Sequence, residues 1–104
     1  MTDRIAALQA MLAQDAANTF ARYGLAMEYV KAGRLEDAVQ EFQSVISANP
    51  AYVAAYYHGG QTLEKLGRID DARDLYEQGI AAAARSGDHH ARAELQAALD
   101  MLPL

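Results

Sequence analysis

Apolar residues along this chain recur at steps of three and four, the spacing that keeps side chains on one face of a helix. Between Leu25 and Ile46 that face is drawn by Leu25 and Tyr29 and then, past Gly33, by Leu35, Ala38, Phe42, Val45 and Ile46. Leu8, Met11 and Leu12 begin a similar stripe near the start, and Ala91, Leu95, Ala98, Leu99 and Leu102 trace one near the end. The stops agree with the stripes. Gly33 and Gly67 suit the left-handed position that closes a helix, and Glu36-Asp37 and Asp70-Asp71 then put negative charge where the dipole of the next helix favours it. Asn49-Pro50 ends one segment, because the residue before proline is pushed out of helical geometry, and Ser86-Gly87 ends another, with Asp88 placed to cap the last helix. The pattern predicts an all-α chain of about six helices: one over 3–13, two within 19–52, two within 53–86 and a capping helix over 88–102.

The stripes also repeat. Setting residues 27–48 above 61–82 brings Lys31 over Lys65, Gly33 over Gly67, Arg34 over Arg68, Asp37 over Asp71, Ala38 over Ala72 and Ile46 over Ile80, always at an offset of 34. Self-similarity at such a period marks stacked helical units whose equivalent positions share like surroundings. Shifted back by the same step, Leu8 falls with Phe42 and Tyr76, Met11 with Val45 and Leu12 with Ile46, so 3–13 reads as the second helix of an incomplete leading unit. Gly59 and Gly60, adjacent within a helical stretch, are either part of a phosphate-cradling loop or a point of helix contact. Neither glycine-rich phosphate spacing is present, nor the strand that would precede one, so contact is the reading taken. Gly59 has no place in the repeat pattern and should weaken the helix by about 1 kcal/mol relative to Ala. Gly59→Leu is therefore expected to stabilise the domain if the site faces the core.

A 34-residue helix–turn–helix unit of this kind resembles the tetratricopeptide repeat (TPR) family. Leu25, Ala26, Tyr29, Gly33, Ala38, Phe42, Ile46 and Pro50 carry the resemblance in the first unit, and Tyr56, Gly60, Leu63, Gly67, Ala72, Tyr76 and Ile80 in the second. It departs from the family at Arg22, where a large aromatic is preferred, at Gly59, where Leu is, and at Ala84, where Pro is. The resemblance implies a short right-handed α-solenoid of antiparallel helix hairpins, with Gly60 at the small-residue position where the two helices of a unit approach. It also implies a concave surface, lined by the first helix of each unit, that receives a peptide or helix of a partner protein. The matching residues are Phe20, Tyr23, Met27 and Val30 in one unit and Ala54, Tyr57, His58 and Gln61 in the next. Family members that clamp a carboxylate use Lys and Asn on this face, whereas Tyr23, Met27 and His58 cannot supply that charge, so the groove is expected to suit an apolar or aromatic ligand. Lys31 and Lys65 lie late on these helices, next to the groove, where they could contact acidic groups, although the helix dipole alone accounts for a cation there.

Composition narrows the function further. The chain has 104 residues, 52% of them apolar and 22% charged, enough for one modest core. Its formal charge of −5 argues against a nucleic-acid surface, no apolar run approaches the length of a membrane span, and the start lacks the features of a secretory signal. The absence of cysteine fits a reducing cytoplasm, where the protein is expected. His89, His90, Glu94 and His58 could sketch a metal site, but adjacent helical histidines diverge by about 100° and read better as solvated. The paired carboxylates sit at helix starts, and no serine shows a recognisable catalytic partner. The expectation is a chain with no catalytic residues, cofactor or metal, acting as a protein-interaction module through Phe20, Tyr23, Met27, Val30, Tyr57, His58 and Gln61. The alternative is a homodimer in which a second copy covers that apolar strip.

Overall fold

The computed structural model describes residues 3–104. It consists of six α-helices: α1 (Asp3–Gln14), α2 (Thr19–Lys31), α3 (Leu35–Ala48), α4 (Val53–Lys65), α5 (Ile69–Ser86) and α6 (His89–Asp100). Each helix packs on the next as a hairpin. In addition α2 approaches α4 and α4 approaches α6, while among the described residues the backbones of α1 and α3, and of α3 and α5, come no closer than 8 Å between Cα atoms. The row that closes up is the inside of a curve, and the row that splays is its outside. The result is an all-α stack measuring 38 × 29 × 18 Å, with the helix-hairpin arrangement of a TPR-like solenoid.

The 34-residue period is visible atom by atom. Ala38 and Ala72 are both fully buried. Gly33 and Gly67 take φ of 79° and 77°, a backbone region that a residue with a Cβ rarely enters. In each case the next amide reaches back to close the helix, Arg34 N–H to the Tyr29 carbonyl at 2.8 Å and Arg68 N–H to that of Leu63 at 2.9 Å. The two arginines then bond the carboxylates of Asp37 and Asp71, each at 2.8 Å, in the first turn of α3 and α5. Such exposed pairs contribute about 1 kcal/mol at most, so they fix the entry of the chain more than they stabilise it. Asp88 caps α6 by accepting from Ala91 N–H at 3.0 Å, and Asn18 does the same for α2 through Ala21.

Arg22 departs from the aromatic preference of its position without losing the contact made there. In the second unit the Tyr56 hydroxyl donates to the Pro50 carbonyl at 2.7 Å. Thirty-four residues earlier, Arg22 Nη2 donates to the carbonyl of Ala16 at 3.0 Å, while its Nη1 meets Glu41 at 2.9 Å. The position supplies a donor to the loop ahead of each hairpin, and a guanidinium does this as well as a phenol.

Two expectations need correction. Gly59 is not an unexplained weak point but a place of close approach. A Cβ there would stand 2.9 Å from Leu75 Cδ2 and 3.3 Å from Phe42 Cβ, so both neighbours would have to give way to a side chain. Met11, aligned with Val45, does not share its surroundings: Val45 is fully buried and Met11 is 45% exposed. Within the described residues no helix lies before α1, and α1 rests only on α2, through Ile5, Leu8 and Leu12. Gly60 and Gly79 are contact glycines as well. A Cβ at Gly60 would lie 2.7 Å from Tyr76 Cδ1, and one at Gly79 would lie 2.6 Å from Tyr56 Cβ.

These contacts predict the sign of two substitutions. Gly60→Ala drives a methyl into a fully buried ring, and the strain, about 1–3 kcal/mol, exceeds the gain in helix propensity of about 1 kcal/mol. Thermal unfolding followed by circular dichroism should show a lower Tm. Gly59→Leu should lower Tm as well, reversing the expectation from helix propensity alone; an unchanged or raised Tm would show that Leu75 and Phe42 give way.

Candidate functional site

The inner row of helices carries the aromatic residues singled out in the sequence. Tyr57 stands on α4 with its ring centroid 6.5 Å from that of Tyr76, and Tyr23, one period earlier on α2, holds the same relation to Phe42 at 6.0 Å. Tyr23 also lies 5.1 Å from Tyr52 and 6.2 Å from His58, and His58 stands edge-on to Tyr57 at 5.3 Å and 85°. Tyr52, Tyr23, His58 and Tyr57 thus run as a continuous aromatic string across α2 and α4. Pairs in this geometry contribute about 0.5–1.5 kcal/mol beyond area burial, and together the rings form the floor of the inner face.

The opening beside that floor lies between α4 and α6. One half, a cleft of about 420 Å³, is bordered by Val53, Ala54, Tyr57 and His58 on α4 and by Asp88, His90, Ala91, Glu94 and Leu95 across it. The other half, about 410 Å³, is bordered by Tyr57, Gln61 and Glu64 and by Glu94, Ala97, Ala98 and Met101. Tyr57 and Glu94 belong to both, so the halves join as one groove. A broader depression along α3, lined by Arg22, Gln40, Gln43, Ser44 and Ser47, is open and shallow, and no aromatic residue lines it.

Burial sets the protonation of the groove. It lowers the His58 pKa, and the nearby Glu94 charge only partly opposes this, so the imidazole is neutral at neutral pH. Burial raises the Tyr23 phenol, with Tyr52 adding to the effect. The Tyr76 hydroxyl donates to the Glu64 carboxylate; burial first, and that bond second, push its pKa up and keep it a donor. His58, Asp88, His90 and Glu94 share one cleft, and His90 Nε2 lies 3.5 Å from Glu94. Even so, the described residues hold no group of three or more His, Cys, Asp or Glu arranged to bind a metal ion. No helix among them is long and apolar enough to cross a membrane.

The structure places the seven residues expected on this face in three settings. Tyr57, His58 and Gln61 line the groove together. Tyr23 is half-buried against His58, and Met27 and Val30 are partly buried on the core between α2 and α3. Phe20 is 76% exposed and borders neither half of the groove. Sequence reasoning missed the opposite wall. It treated α6 as a cap, although α6 follows α5 as α4 follows α3 and so stands in the inner row.

His58 generates a pH prediction. Its folded pKa lies below the unfolded value of about 6.5, so as pH falls past that value the unfolded chain binds the proton first and the folded state loses stability. Urea denaturation of wild type and His58→Gln at about pH 7.5 and about pH 5.5 should therefore show wild type losing more stability on acidification than the variant. Equal losses would mean that His58 titrates alike in both states.

Comparison with known proteins agrees with the repeat geometry. A family model described as Tetratricopeptide repeat matches residues 23–89. The chain is 35% identical over 91 residues to a TPR repeat-containing protein of Pseudomonas aeruginosa, spanning 88% of this chain and 87% of that one. Among solved structures it resembles a tetratricopeptide repeat domain protein from Salinibacter ruber, with 40% identity, 79% and 91% of the two chains covered and a TM-score of 0.73. It also resembles a protein from Bordetella parapertussis, with 32% identity, 92% and 84% covered and a TM-score of 0.79. The chain belongs to the tetratricopeptide repeat family.

Proposed function

We propose that this protein is a non-catalytic interaction module that receives a peptide or helix of a partner protein on the face formed by α2, α4 and α6. The observation that carries this reading is Tyr57, a partly buried tyrosine in the aromatic string, which borders both halves of an open groove lined by apolar and acidic side chains. A tyrosine so placed offers broad contact area with few torsions left to freeze, and its hydroxyl can set the register of a bound chain. Phe20, Tyr23, Met27 and Val30 extend the same face along α2 and would contact the parts of a partner that run past the groove. Self-association is the second reading, supported by the exposed Phe20 ring, which a second copy could cover.

A photo-cross-linking residue at Gln61 separates the two. Partner recognition predicts an adduct between this chain and a different polypeptide in the native cell, with yield reduced at least tenfold by Tyr57→Ala. Self-association predicts an adduct of two copies, together with a dimer in sedimentation experiments that Phe20→Ser dissolves. Adducts that ignore Tyr57 would count against the groove.

A further inference from the structure

We propose that the groove between α4 and α6 takes a basic segment of a partner protein, with an apolar side chain over Tyr57 and flanking lysines or arginines meeting Asp88, Glu94 and Glu64. The proposal rests on reading that face as the partner-binding surface and adds the chemistry of what binds there.

Charge complementarity carries it. The floor and walls are apolar, with Val53, Tyr57, Leu95 and Ala98 prominent, and every side chain of fixed charge on the rim is acidic. Elsewhere on the molecule some carboxylates are matched by cations, as Glu41 by Arg22, Glu28 by Arg4 and Asp37 by Arg34, at 2.9, 2.9 and 2.8 Å. Among the described residues Asp74 and Glu77 stand alone on the outer face of α5. What sets the groove apart is that three acids and no Lys or Arg border one apolar opening. Among the described residues none of the three rim carboxylates has a Lys or Arg within 4.0 Å. Glu94 has only His90, which is charged only when protonated. Asp88 accepts from Ala91 N–H and Glu64 from the Tyr76 hydroxyl, but a carboxylate has about four acceptor sites, so both keep capacity for a cation.

The layout also has a spacing. Val53 and Asp88 border one half of the groove and Glu64 and Met101 the other, so α4 and α6 run parallel and Asp88, Glu94 and Glu64 follow one another along it. From Asp88 to Glu94 the rise is about 9 Å at 1.5 Å per residue, roughly the reach of three residues of extended chain. A segment with cations about three positions apart and an apolar residue between them would meet the rim and the floor together. Rim charges of this kind govern selectivity and association rate more than total affinity, so selectivity is the quantity to measure.

The test is selection of a random-sequence peptide library on the immobilised full chain. The expected result is enrichment of Lys and Arg around an apolar residue. The enriched peptides should bind at least tenfold more weakly to Glu94→Lys, lose affinity as salt is added, and be unaffected by Glu77→Gln on the exposed surface of α5. Ala97→Trp, which fills the groove from an exposed site without removing any core packing, should abolish binding, and it guards against a Tyr57→Ala variant that fails to fold. Enriched peptides that are neutral or acidic, yet blocked by Ala97→Trp, would overturn the charge assignment and leave the groove reading standing. If no peptide binds wild type better than Ala97→Trp, both fall.

Discussion

The ring of Tyr76 lies against the backbone of α4 at Gly60, where no Cβ intervenes. In the preceding hairpin the equivalent positions are Ala26 and Phe42, both fully buried. A fully buried aromatic of this size is worth about 3–5 kcal/mol when truncated to Ala, so each ring is a main anchor of its hairpin. It does its work only if the facing helix is bare enough to come close. The distance between the two helices of the second unit follows from that contact, and the first unit places a small residue and a ring at the same two positions with one methyl more, at Ala26. Two hairpins of like geometry, set one after the other, bring the first helices together and leave the second helices apart.

Departures from the repeat are absorbed locally. Arg22 stands where Tyr56 stands one period later, and each donates to the loop carbonyl ahead of its hairpin. The charge that arginine introduces is met by Glu41, so a change of side-chain class leaves the joint intact. At Gly59 and Gly79 the repeat loses a side chain, but neighbours fill the gap: Leu75 and Phe42 crowd the first, Tyr56 and Leu95 the second. A missing Cβ in these helices is compensated by packing across the interface, at the cost of helix propensity along it.

The features easiest to read in the sequence were those set by local chemistry. Gly33 and Gly67 declare positive φ through their own lack of a Cβ, and Asp88 declares a cap by its type and place. Ala38 and Ala72 reveal their shared environment because the period repeats them. Gly59 was misjudged because helix propensity is a property of one strand of chain, whereas what decides this site comes from α3 and α5. Met11 was misjudged because periodicity assumes that every unit has a neighbour on both sides, and among the described residues α1 has one on a single side. The α6 wall of the groove was overlooked for a related reason. Its buried stripe announces a helix that covers a core, but the residues facing the groove, Ala91, Glu94, Ala97 and Ala98, are small or charged and form no pattern that marks a binding surface. Only the succession of helices, inner and outer by turns, could have assigned it.

Glu64 is tethered from below by the hydroxyl of a tyrosine that is itself locked in the core. Glutamate in solution explores many rotamers, and ordering one on binding costs about 0.5–1.5 kcal/mol. Here that entropy is surrendered during folding, so any ligand reaching this end of the proposed binding groove would find an acceptor held in place. The same ring that spaces the helices thus fixes one acidic side chain at the groove, which would couple the firmness of the interior to the readiness of the surface.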